Sequence, residues 1–227
     1  MNSEIHDGIT QEKGSLDKTM ASIYKLIEND IPLQISCPIM QQNKNSYKDV
    51  VDWGKEHNIN VSSDFVIIGQ YNHANENLNC RLSIDDVRQF IRCKMKMDSQ
   101  YIKSIEKEMS KKKEMSPDDY ICSVCHSSIC ISENGNVYPC AGWQDYVLGN
   151  IGKSKLKDIW NDSDKVNYLR NLRRQDFPEC LKCSQKEFCT MCMVRNANED
   201  PQGNPLKVNP YFCEVARISK ELYMKEV

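Results

Sequence analysis

The chain has 227 residues, a span suited to one or two domains of roughly 100–200 residues each. Its 30 basic and 32 acidic residues leave a net charge of −2, which argues against a broad surface for nucleic acid or anionic lipid. Mean hydropathy is −0.63, and no apolar run approaches the roughly 18 residues of a membrane helix.

The opening MNSEIHDGIT has no basic stretch followed by an apolar one. The expectation is a cytoplasmic chain without a signal peptide. In that reducing setting the 12 cysteines read as metal ligands more readily than as disulfides.

Leu16, Met20, Ile23 and Ile27 recur at helical spacing over 15–29, with Ser15 after Gly14 as the expected cap. Leu33, Ile35, Cys37 and Ile39 alternate, as in a strand. Helical spacing returns over 46–57 through Tyr47, Val50, Val51 and Trp53. The run Phe65-Val66-Ile67-Ile68 reads as a strand covered on both faces. Ser83-Ile84-Asp85-Asp86 reads as a cap before a further helix carrying Val87, Phe90 and Ile91. This order predicts parallel strands joined by crossover helices. Two or three strands cannot close a barrel, so this half looks incomplete by itself.

A lysine-rich stretch, KSIEKEMSKKKE over 103–114, follows and stops before Ser116-Pro117-Asp118. It reads as a polar helix or tether with a solvated face, and Pro117 as a boundary.

Nine of the twelve cysteines fall beyond residue 121. In SSICISENGNVYPC, which ends at Cys140, two β-prone segments flank Asn134-Gly135. That pair predicts a hairpin with a type I′ turn, its ends bringing Cys130 and Cys140 together. Cys122 and Cys125 precede it, and helical segments are expected near Leu156–Trp160 and Val166–Leu172. Then comes Cys180-x2-Cys183-x5-Cys189-x2-Cys192, with Cys213 further on. Two zinc knuckles usually stand a dozen or more residues apart, and the gap from Cys183 to Cys189 is short for that. A tight three-cysteine run with a distant fourth suits an iron–sulfur cubane better. Zinc, and disulfides or free thiols, remain the alternatives.

Gly135-x4-Cys140, then Cys180, Cys183, Cys189, Cys192 and Cys213, resembles the SPASM domain of radical S-adenosylmethionine (radical SAM) enzymes. The phrases GNVYPC, LGNI, LKDIW and PYFCEVA are similar to that family as well, and so are HDGIT and QISCPIMQQN to the barrel that precedes it. The resemblance implies α/β plus α+β architecture: the C-terminal part of a partial (β/α)6 barrel over 1–98, a charged helical linker over 99–118, and the SPASM domain over 119–227.

It also implies two auxiliary [4Fe-4S] clusters. One takes Cys180, Cys183, Cys189 and Cys213. The other takes Cys122, Cys140 and Cys192, with Cys130 as its fourth ligand, Cys125 as the competitor, or an open iron site. The quartet departs from the common pattern by one residue, because only Thr190 and Met191 separate Cys189 from Cys192.

No Cys-x3-Cys-x2-Cys occurs, the triad that holds the cluster chelating S-adenosylmethionine. The expectation is therefore the C-terminal part of a longer enzyme, unable to cleave S-adenosylmethionine unaided. The complete enzyme would abstract hydrogen with a 5′-deoxyadenosyl radical and crosslink a ribosomal peptide or protein. A flavodoxin or ferredoxin would supply electrons, and neither nucleic acid nor membrane is expected as a partner. A two-cluster electron carrier or partner subunit, and a zinc-binding structural module, are the alternatives. Gln42 and Asn43, at the end of a barrel strand, are expected near S-adenosylmethionine. His6-Asp7 is either substrate-facing or a local turn contact. Cys37, Cys80 and Cys93 read as structural or free thiols, His126 as a weak ligand, and Trp53, Trp143 and Trp160 as packing.

Overall fold

The computed structural model describes residues 2–113 and 115–226. Met1, Val227 and Glu114, at the end of the lysine-rich run, lie outside the described residues. The chain divides into two compact units, Met1–Ile67 with Asn77–Val87, and Ile68–Glu76 with Arg88–Val227.

The first unit opens with α1 (Ser3–Thr10) and α2 (Ser15–Glu28). The cap of α2 differs from expectation. Gly14 occupies it at φ 78°, and Ser15 is already helical and buried. The capping acceptor comes from outside the helix. Asp7 accepts from Gly14 N, from Leu16 N at 3.0 Å and from Ser15 Oγ at 2.9 Å. Those backbone N–H donors hold its carboxyl down at about 2. Asp7 is thus a turn contact.

β1 (Gln34–Ser36) runs parallel to β2 (Asn60–Ser62), with Ile35 opposite Val61, and α3 (Tyr47–Glu56) crosses between them. The alternation holds beyond the strand: Leu33, Ile35, Cys37 and Ile39 face inward while Gln34, Ser36 and Pro38 are exposed. Cys37 N and Ile39 N continue the pairing to Ser62 O and Asp64 O. The second strand is not where the apolar run suggested. Phe65–Ile68 is irregular, and the strand forms earlier in Asn-Val-Ser. Asn58 turns the chain at φ 55° directly after α3, and Ile59 N donates back to Gly54 O at 2.7 Å. That tight return fixes the register before the apolar run is reached.

A 3-10 turn over Glu76–Cys80 leads to α4 (Ile84–Met97). Ser83 caps α4 as expected: Asp86 N donates to Ser83 Oγ at 3.2 Å, and Ser83 Oγ donates to Asp86 Oδ2 at 2.6 Å.

The second unit continues with α5 (Ser99–Lys113), the helix expected from the lysine-rich run. A three-stranded antiparallel sheet follows in the order β3 (Cys130–Ile131), β4 (Asn136–Tyr138), β5 (Gly149–Asn150). The hairpin is present, but its turn is not type I′, because only Gly135 has positive φ, at 80°. Gly135 N donates to Ser132 O and Ser132 N to Asn136 O, which closes a three-residue loop ending in a left-handed glycine. Asn134 spends its side chain instead, accepting from Ser132 Oγ and Asn136 N. The ladder sets Cys130 opposite Tyr138, so Cys140 lies beyond its last pair.

Short helices complete the unit: α6 (Leu156–Asp162), α7 (Asp164–Asn171), α8 (Pro178–Leu181), α9 (Met193–Glu199) and the long α10 (Pro210–Glu226). Their inward faces bury Val137, Trp143, Val166, Leu169, Phe177 and Ala197 in one core. Each such large apolar side chain contributes about 1.5–3 kcal/mol. Cys125 lies within this core, with Cys140, Cys180 and Cys192 packed against it. Among the described residues no helix is long and apolar enough to cross a membrane.

Candidate metal centres

Cys180, Cys183 and Cys189 are wound around one opening by a succession of tight turns. Pro178 starts α8, Cys180 N donates to Phe177 O, Cys183 N to Cys180 O, and Cys189 N to Lys186 O through a 3-10 turn over Lys186–Phe188. Cys213 arrives from α10, whose start is capped by Asn209 Oδ1 accepting from Tyr211 N at 3.1 Å. These four cysteines line a single cavity of about 90 Å³, with Cys192 on its wall. That is room for a group several times the size of a water molecule.

The thiols crowd one another, with Cys180, Cys183 and Cys189 half-buried and Cys213 exposed. Burial pushes Cys180 up to about 11, with the charges of Cys189, Cys213 and Cys183 adding to it. Burial also raises Cys189, against the charges of Lys112, Arg195 and Arg174. Cys213 is raised by burial and by Cys189 and Cys183. Metal ligation needs thiolates, so such a site gains most from a cationic group that takes up the negative charge. Gln185 N already points at Cys183 Sγ at 3.4 Å.

A second set gathers beside the core. Cys125 is fully buried and adopts φ 59°, a left-handed conformation uncommon for cysteine. Its N–H donates to Ser128 O at 2.9 Å, and its carbonyl accepts from Arg170 Nε at 2.6 Å. Burial pushes its thiol up to about 11, opposed by Arg170 and reinforced by Cys122 and Cys140. Burial raises Cys140 as well, opposed by the N–H groups of Gly142 and Trp143 and reinforced by Cys192 and Cys122. Cys122 is raised by burial, with Val124 N–H lowering it and Cys192 adding charge. Cys122 and Cys140 thus lie within electrostatic reach of Cys125 and of Cys192, and Cys192 stands at the start of α9. Cys130 is half-buried on β3.

The remaining candidates have local roles. Asn43 Oδ1 accepts from Met40 N at 2.7 Å and its Nδ2 donates to Pro38 O, while Gln42 Nε2 donates to Cys80 Sγ at 3.0 Å. Both side chains thus shape the loop after β1. Cys37 is half-buried and raised by burial, and Cys93 is half-buried on α4. His126 stacks on Tyr120, ring centroids 3.6 Å apart. Trp143 is fully buried, Trp53 stacks on His57, and Trp160 lies under the Arg170 guanidinium.

Two features carried no sequence signal. Four cations, Lys112, Arg174, Lys186 and Arg195, line the four-cysteine cavity from separate segments. Lys112 belongs to the run read as a solvated face, yet burial lowers its ammonium. The second is the 68–76 segment, held by His73, whose Nδ1 donates to Ala197 O at 3.1 Å and whose Nε2 lies 3.2 Å from Asp145 Oδ2.

Cysteines thus gather at two places in the second unit, and residues 122–185 match SPASM, an iron–sulfur cluster-binding domain. The chain is 22% identical over 204 residues to the antilisterial bacteriocin subtilosin biosynthesis protein AlbA of Bacillus subtilis (strain 168), covering 88% of this chain and 44% of that protein. It is 23% identical to the AdoMet-dependent heme synthase of Methanosarcina barkeri (strain Fusaro / DSM 804), covering 92% and 64%. Among solved structures, native anSMEcpe with bound AdoMet and Kp18Cys peptide superposes with a TM-score of 0.68 at 16% identity, over 94% of this chain and 61% of that one. Native anSMEcpe with bound AdoMet gives 0.65, over 94% and 60%. The chain thus spans less than two thirds of the length of each. The resemblance to radical SAM/SPASM enzymes read from the cysteine spacing holds in sequence, and the solved structures carry the same fold.

Proposed function

We propose that this chain contributes the cluster-bearing portion of a radical SAM/SPASM maturase that modifies a ribosomal peptide or protein. The observation that carries this reading is the convergence of Cys180, Cys183, Cys189 and Cys213 on one cavity. The donor set fits a [4Fe-4S] cubane: four thiols around one cavity, a backbone N–H already directed at sulfur, and cations on the wall. A bound cubane supplies a one-electron store beside the reaction. Cys122, Cys140, Cys192 and a fourth sulfur would hold a second. Burial and the influence of its neighbours favour Cys125 as that fourth ligand.

Zinc fits less well. The sulfurs instead border a space suited to a multi-atom group. Peptide modification is supported by the biosynthetic role in the name of AlbA and by the peptide bound in the anSMEcpe structure. Gln42 and Asn43 would act by fixing the loop beyond β1, on the side where α/β folds bind ligands. A second reading, a two-cluster electron carrier or partner subunit served by a flavodoxin or ferredoxin, fits the same cysteines.

Anaerobic reconstitution tests the proposal. Broad absorption near about 400 nm with about eight irons per chain is the expected result. Cys183→Ser should lose about half the iron and Cys93→Ser none. A colourless protein carrying one or two zincs, or equal loss from both variants, would contradict it.

A further inference from the structure

The cavity bounded by Cys180, Cys183, Cys189 and Cys213 is lined by Lys112, Arg174, Lys186 and Arg195 and, among the described residues, by no carboxylate. In a chain with 30 basic and 32 acidic residues, four cations among the described lining residues are a local excess, with Glu179 the nearby acid that acts on Cys180 and Cys213. The four come from α5, the 3-10 turn over Arg174–Asp176, the turn over Lys186–Phe188, and α9.

Two of them are held in place by contacts of their own. Arg174 N donates to Asp119 O at 3.1 Å, and its carbonyl accepts from Phe177 N at 3.0 Å. Its Nε is buried and has no hydrogen-bond partner among the described residues. A buried guanidinium N–H without an acceptor is costly, and the Arg174 side chain belongs to the cavity wall, where its charge opposes the rise of Cys189. Arg195 is braced by Nη1 donating to Thr190 O at 3.2 Å. Its guanidinium carbon sits 4.3 Å from the ring centroid of Phe212, which lines the same cavity.

We propose that Arg174 and Arg195, assisted by Lys112, are positioning residues that donate charge-assisted hydrogen bonds to the cluster in this cavity and raise its reduction potential. The inference rests on the cluster reading above. A cubane held by four thiolates is net negative, and more so when reduced. Fixed cations stabilise the reduced state more than the oxidised one, and N–H donors to sulfur act in the same direction. A guanidinium suits this task because it keeps its charge and offers several donors in a rigid plane.

The test is an EPR-monitored redox titration of the anaerobically reconstituted full chain, with dithionite as reductant and iron counted in parallel. Cys213→Ser identifies which signal belongs to this site. At the poise that half-reduces the wild-type cluster, Arg174→Gln and Arg195→Gln should each lower the reduced-to-oxidised ratio about tenfold, about 59 mV for a one-electron couple. Arg174→Lys should recover much of that loss. Arg217→Gln, which removes an exposed cation of α10 paired with Glu214, should change nothing. If Arg174→Gln loses iron, Arg195→Gln and Arg174→Lys decide. Full iron with an unchanged ratio in both glutamine variants overturns the proposal, and so does an equal shift in Arg217→Gln. A wild-type chain that takes up no cluster overturns the parent reading instead, and this one with it.

Discussion

Asn198 Nδ2 donates to Gly69 O at 2.9 Å, across 129 positions of sequence, and to Gly142 O at 3.1 Å. Asn198 is 1% exposed. One buried amide thus ties the 68–76 segment and the stretch after Cys140 to α9, which begins at Cys192. Asn198→Ala would leave two inward carbonyls without their donor, at about 1–3 kcal/mol each. The expected loss is about 2–4 kcal/mol by chemical denaturation under reducing conditions. A loss below about 0.5 kcal/mol would mean water replaces the amide.

Cys125 and Cys130 compete for one ligand position. Cys125 is fully buried near Cys122 and Cys140, and Cys130 is paired across the ladder with Tyr138. Cys125→Ser should lose about half of the reconstituted iron and Cys130→Ser little. The reverse order would assign the ligand to Cys130, and no loss from either would point to an open iron site.

Gly54 lets α3 sit directly on β2. A Cβ there would strike the Val61 side chain and stand 2.9 Å from Ile59 O. The backbone contact cannot be relieved by a rotamer change. Gly54→Ala should cost about 1–3 kcal/mol despite its better helix propensity, read as a lower thermal midpoint.

Asp86 is held down at about 2, first by the Lys44 ammonium, 2.8 and 2.9 Å from its oxygens, and then by Ser83 Oγ, with Gln41 Nε2 also donating. A carboxylate whose folded pKa is depressed stabilises the fold at pH above its unfolded value, here 3.8. That contribution is lost as pH falls from about 4 to about 2. Asp86→Asn should be less stable than wild type at pH 6, and the difference should shrink between pH 4 and 2. Parallel pH curves for the two proteins would rule out this carboxylate as a contributor.

Much of the fold was legible because it rests on local rules. The inward alternation of Leu33, Ile35, Cys37 and Ile39, the Ser83 cap and the helices over 15–28, 47–56 and 156–171 follow from spacing and capping chemistry. The errors occurred where one short-range contact outweighed the local pattern that pointed elsewhere. β2 is Asn-Val-Ser because the return from α3 sets its register. The Gly135 turn differs because Asn134 turns its side chain to Ser132 and Asn136.

The sequence by itself determined the cysteine spacing, and with it the SPASM resemblance, because a short spacing between ligands survives whatever the rest of the chain does. Only the tertiary structure decided what surrounds those sulfurs. Burial of Cys125, the cations drawn from four segments around Cys180 and Cys189, and the Asn198 clamp join residues tens to more than a hundred positions apart. Such contacts depend on how separate elements pack, and no local pattern encodes them.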